Sequence, residues 1–163
     1  MQSRLEAQLP LHISLSAPLV LKAEEKVGFQ EAVESKIMES GVGRVKVSVR
    51  SLRWERNFDG TRWFLVLVVA TLANDELNKL LHSCNMCASD FKLPLLYGTE
   101  PEKPFHISIA WQLTEPSLRQ RLVLAHPNVA EFGKENLQFE AVKLKMGNVV
   151  RDLRLPKRST ASS

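Results

Sequence analysis

Two short stretches of this sequence carry the same three residues in the same setting. Leu11-His12-Ile13-Ser14-Leu15 and Phe105-His106-Ile107-Ser108-Ile109 each place a histidine two positions before a serine, within an apolar run. Such a run reads as a strand, and alternate residues of a strand share a face. The histidine and serine of each stretch therefore stand side by side, about 7 Å apart at the backbone. On this alternation Phe105, Ile107, Ile109 and Trp111 point inward, while His106, Ser108 and Ala110 point the other way. The copies lie 94 positions apart, enough for each to occupy its own half of one domain. A histidine in an apolar strand is ordinarily a satisfied core residue. Its repetition, each time with a hydroxyl beside it, points instead to a pair meeting in one cleft. Imidazole titrates near neutrality, so one ring can take a proton as the other gives one. Serine hydroxyls can donate to the non-bridging oxygens of a phosphate, where charge builds in the transition state. The chemistry this suits is acid–base catalysis on a phosphate ester.

Other residues compete for attention. A metal site on the same histidines needs a third ligand at ordered spacing. His82 and His126 each stand alone, and no HxxxH or paired CxxC pattern occurs, so no metal is expected. Cys84 and Cys87 form a lone CxxC inside a helical stripe with Leu80, Leu81 and Ala88, which reads as core packing rather than redox chemistry or zinc binding. Tyr97 is the only tyrosine and lies in the loop before His106; it is either a loop aromatic or a platform for a base. Trp111 shares the parity of the inward face and reads as core, and Trp54 and Trp63 read as packing beside a hairpin. Arg44, Lys46, Arg50, Arg53, Arg56 and Arg62 crowd that hairpin, as a solvated strand face or as a rim for an RNA backbone.

The elements that must position these groups follow from periodicity. Leu9 to Leu15 is the first motif strand. Glu24 to Ser40 reads as a helix whose stripe is Val27, Phe29, Ala32, Val33, Ile37 and Met38, with Gly41 as its stop. Arg44 to Leu52 alternates, with Val45, Val47 and Val49 inward. Asp59-Gly60 is a hairpin pair leading to a strand over Arg62 to Leu72 that is apolar on both faces. Asn74 is a candidate cap for a helix carrying Leu77, Leu80, Leu81, Cys84, Ala88 and Phe91. A loop from Lys92 to Lys103 leads to the second motif strand. Thr114 or Ser117 caps a helix with Leu118, Leu122 and Val123, broken at Pro127. Leu137 to Met146 and Val149 to Leu155 form a hairpin at Gly147-Asn148. Helices mixed with antiparallel hairpins make the fold class α+β.

The totals agree. A chain of 163 residues, 44% hydrophobic, fits one domain with a sizeable core. The boundaries expected are 1–156 for the domain and 157–163 for a disordered tail, with Met1 to Gln8 a frayed lead-in. A net charge of +4 favours an anionic partner, nucleic acid above all. Two cysteines give no disulfide framework and suit a reducing compartment. The longest apolar run, Trp63 to Ala70, is too short to span a bilayer, so no membrane is expected.

Paired HxS motifs about a hundred residues apart resemble the signature of the 2H phosphoesterases. Within that superfamily the chain resembles the family of U6 small nuclear RNA 3′-end-processing phosphodiesterases, in a fungal-like form. The resemblance runs from Leu9 to Pro156. It is carried by Leu11 to Ser16, Gly60-Thr61-Arg62-Trp63-Phe64-Leu65, Pro104 to Trp111, and Val142-Lys143-Leu144-Lys145-Met146-Gly147-Asn148. It implies a two-lobed fold with antiparallel sheets around a central groove and helices outside. It implies a metal-independent 3′-to-5′ RNA exonuclease that needs no cofactor, acts as a monomer in the nucleus, and trims the oligouridine 3′ end of U6 for splicing. The expected step is transesterification by a 2′-hydroxyl, leaving a 2′,3′-cyclic or 3′ phosphate. His12 and His106 are implied as acid and base in either order, Ser14 and Ser108 as phosphate ligands, and Tyr97 as the residue stacking on the terminal base of single-stranded U-rich RNA. Only eleven residues precede His12, where the family has a strand and a helix, so the first lobe is expected to be incomplete or built differently. The alternatives are a 2′,3′-cyclic nucleotide phosphodiesterase and an inactive RNA-binding 2H module.

Overall fold

A computed structural model describes residues 10–57, 59–72, 74–98, 104–124 and 136–157. The expected lead-in, Pro127 and His126 lie outside them, as does the expected tail apart from Lys157. Among the described residues, in chain order, the elements are α1 (Lys26–Glu39), β1 (Val45–Arg56), β2 (Trp63–Thr71), α2 (Glu76–Asp90), β3 (His106–Gln112), α3 (Leu118–Val123), β4 (Asn136–Phe139), β5 (Ala141–Met146) and β6 (Val149–Arg154). A 3₁₀ turn over Ala23–Glu25 leads into α1. Four strands form a curled antiparallel sheet in the order β3-β2-β1-β4, and β5 and β6 pair as a separate two-stranded sheet. The fold class is α+β, as the periodicity predicts.

One face of the large sheet packs on α1 and α2. Phe29, Val33 and Ile37 are four apart and form the buried line of α1, whereas Val27 and Met38, placed on the same stripe by the sequence, are exposed. Leu77, Leu80 and Cys87 from α2 meet Val45, Val47, Val49 and Val69 from the sheet in one core cluster. Asp75 rather than Asn74 is the N-cap of α2, and both take left-handed φ angles. At α3 the expected cap holds: Ser117 Oγ accepts from the Gln120 amide at 3.2 Å, and Gln120 Oε1 accepts from the Ser117 amide at 2.8 Å.

The predicted strand over Leu137 to Met146 is two strands in two sheets. The chain leaves the large sheet at Glu140, whose carboxylate pairs with Arg44 at 2.7 Å and whose carbonyl accepts from Leu155 N at 2.9 Å. Those two anchors let β4 pair with β1 and β5 pair with β6. A cavity of about 910 Å³ separates residues 10–21 from β5 and β6, with Phe29, Leu80 and Val142 in its walls.

Candidate active site

His106 and Ser108 stand on β3, opposite Val68 and Val66 of β2. Of the strand expected over Leu9 to Leu15, the described residues 10–15 form no continuous strand. Within the described residues the first motif's only ladder contact is an isolated antiparallel bridge between Ile13 and Ile107. That bridge sets the geometry of the site. Flanking residues of an antiparallel bridge face one another in reverse order, so His12 is opposite Ser108 and Ser14 is opposite His106. Cβ atoms of such pairs lie about 5 Å apart. Ile107 belongs to the helix-side core and Ile13 packs against it. All four polar residues therefore stand on the other face, two hydroxyls and two imidazoles around one spot.

The same rungs continue across the sheet. Ser108, Val66 and Arg53 form one, and His106, Val68 and Ser51 the next. Val66 is fully buried and Val68 nearly so, yet neither belongs to the helix-side cluster. They are an apolar floor beneath the polar groups. Arg53 hydrogen-bonds Glu55 through Nε and Nη2, two residues along and on the same face.

The two rings differ in their surroundings. His12 is exposed, and its Nδ1 lies 2.9 Å from the Pro10 carbonyl oxygen. A carbonyl only accepts, so that Nδ1 carries hydrogen, and Nε2 is the nitrogen that faces chemistry. His106 is half-buried, and its buried Nδ1 has no hydrogen-bond partner.

Tyr97 sits before β3 with a left-handed φ of 56°. Its ring meets Phe105 edge-on, with centroids 6.0 Å apart. Burial, and to a smaller degree the charge of Glu55, raises its hydroxyl above the usual phenol range. The structure thus gathers His12, Ser14, His106 and Ser108 at one place and sets Tyr97 at the head of β3.

Trp111 overturns its sequence reading. A register shift leaves Ile109 unpaired between Ser108↔Val66 and Ala110↔Leu65. The extra residue of a β-bulge reverses the alternation beyond it. Trp111 therefore pairs with Phe64 on the face of His106 and Ser108, and is 45% exposed. Arg62 lies over its ring at 4.9 Å. The sequence holds no mark of the bulge, because Ile-Ala suits an unbroken strand equally well.

The remaining candidates resolve simply. Cys84 and Cys87 are free, and burial pushes the Cys84 thiol up to about 12, in keeping with core packing. Of the basic run, Arg53 and Arg62 share the face of the motif residues. Arg44 is paired with Glu140, and Arg56 lies over Trp63 on the opposite parity. Among the described residues no group of three or more His, Cys, Asp or Glu could hold a metal ion, and no helix is long and apolar enough to cross a membrane.

Comparison with known proteins places this geometry. A family model described as "HVSL: Uncharacterised conserved protein" matches residues 1–154. U6 snRNA phosphodiesterase 1 of Neurospora crassa is 32% identical over 179 aligned residues, which cover 93% of this chain and 49% of the relative. The chain thus spans about half the length of the curated relative it matches. Among solved structures, Kluyveromyces marxianus Usb1 with uridine monophosphate superposes with a TM-score of 0.66 at 19% identity, over 94% of this chain and 78% of that one. A second structure of Kluyveromyces marxianus Usb1 gives 0.64 at 18% identity, over 91% and 77%. At those identities the likeness speaks for the fold.

Proposed function

The chain belongs to the HVSL family, and from that premise we propose that it is an RNA phosphodiesterase, a 3′-to-5′ exonuclease that trims the oligouridine end of U6 snRNA in the nucleus. The carrying observation is the Ile13–Ile107 bridge, whose register sets two histidines and two serines on one face around one point. The name of the Neurospora crassa relative supports the substrate, and the uridine monophosphate in one Usb1 structure supports a uridine-binding site in this fold.

The mechanism follows from what the residues can do. The 2′-hydroxyl of the penultimate nucleotide lies beside the scissile phosphorus, so proximity favours its attack. His106 takes the proton from that hydroxyl. His12 gives a proton to the departing 5′-oxygen of the last nucleoside, and a 2′,3′-cyclic phosphate remains. The assignment rests on the rings' surroundings. A general acid must hold both ring protons at rest, and His12 has a carbonyl for the inner one. His106 has no such acceptor behind its buried Nδ1, so the acid's role goes to His12 and the base's to His106. Ser14 and Ser108 donate to the non-bridging oxygens. Nothing in these steps calls for a metal.

The test uses oligouridine with one 2′-deoxy substitution. At the penultimate nucleotide it blocks removal of the last one while barely weakening binding. At the terminal nucleotide it is tolerated, since that sugar only leaves. Normal trimming of the penultimate-deoxy RNA means that water is the nucleophile, and the transesterification is then wrong.

A further inference from the structure

Strand β3 has two unlike ends. At its head, Phe105 is buried and Tyr97 half-buried against it, both in the helix-side core. At the tail of β3, Trp111, Leu113 and Arg62 are exposed. An exonuclease holds one short end of its substrate and must let a long chain leave on the other side. The open end is therefore the exit for the body of the RNA. Along it, Trp111 stands two rungs of β2 beyond Ser108, a distance of about 7 Å. Its ring lies on the face of the reacting groups only because Ile109 is bulged out. The Arg62 guanidinium covers that ring at 4.9 Å, Phe64 lies beside it on the rung, and Glu55 closes the rung while binding Arg53.

We infer that Trp111 and Arg62 form a stacking subsite for the base next upstream of the penultimate nucleotide, so that they position a single-stranded RNA longer than a dinucleotide. An exposed indole carrying a guanidinium is a surface on which any base stacks, and the guanidinium adds charge toward the RNA backbone. A polyanion with flat bases uses both, and the chain's net charge of +4 has the complementary sign. Trp111 is a positioning residue here, since it reaches the reaction through the RNA it holds. The inference rests on the exonuclease reading and adds a determinant of substrate length to it.

The experiment compares a uridine dinucleotide with an oligouridine of about six residues, for the wild type, Trp111→Ala, Trp111→Phe and Arg62→Ala. One base–aromatic stack is worth roughly 5- to 150-fold in binding. Trp111→Ala is expected to raise KM for the oligomer by a factor in that range relative to KM for the dinucleotide, with little change in the oligomer's kcat. Arg62→Ala shifts the same ratio less, and Trp111→Phe restores most of it. Wild-type tryptophan fluorescence is quenched by penultimate-deoxy oligouridine, and Trp111→Phe loses most of that quench. Equal losses on both substrates mean a structural role and overturn the inference, as does an unchanged ratio, while the exonuclease reading stands. A wild type that neither binds nor trims oligouridine overturns that reading and this inference together.

Discussion

At the scale of the residue, the site depends on two rings that differ mainly in what lies behind them. Each proton transfer is worth roughly 10²–10⁴ in rate. His12→Ala and His106→Ala should each lose at least that factor in single-turnover trimming, with RNA binding largely kept. The double variant should lose far less than the product of the two, because both rings serve one transition state. A single variant with near-normal turnover would contradict the scheme. The motif residues were legible in the sequence because a repeated His-Ile-Ser is rare and its period of two fixes their faces. The Pro10 carbonyl behind His12 and the orphan Nδ1 of His106 were not legible, since backbone acceptors leave no trace in residue type.

At the scale of the element, helices and long strands were readable and irregularities were not. The α2 stripe holds in Leu77, Leu80, Leu81 and Ala88, because burial on a helix face repeats with the helical period. Leu80 is 2% exposed at the centre of the cluster, so Leu80→Ala should cost about 2–5 kcal/mol, read as a lower urea midpoint at unchanged slope. The strand expected over Leu137 to Met146 breaks at Glu140, where an ion pair and a hydrogen bond formed by distant residues, Arg44 and Leu155, decide the turn. The bulge at Ile109 is the same lesson in one residue. Pairing with Val66 and Leu65 decides which residue is squeezed out, and with it the face of everything downstream. Local pattern records a residue's preference, whereas register is settled by its partner.

At the scale of the whole molecule, the large sheet and its two helices form one well-buried body, while residues 10–21 skirt a cavity of about 910 Å³ and, among the described residues, touch a strand ladder at Ile13 alone. Half of the proposed catalytic set therefore hangs on a segment whose one ladder contact is joined by the packing of Ile13, Leu15, Leu19 and Leu21, and protein regions open separately according to such ties. On the proposed function, warming should abolish activity before it melts the fold. The midpoint of reversible inactivation is expected several degrees below the midpoint of ellipticity loss, with exchange of the His12 to Ser16 amides fast at temperatures where those of β2 stay protected. A bound RNA that touches both histidines ties the segment to β3 and should close the interval in proportion to its occupancy. Coincident midpoints without RNA would show the segment to be as firmly held as the sheet. On this account the substrate is the last strut of its own active site.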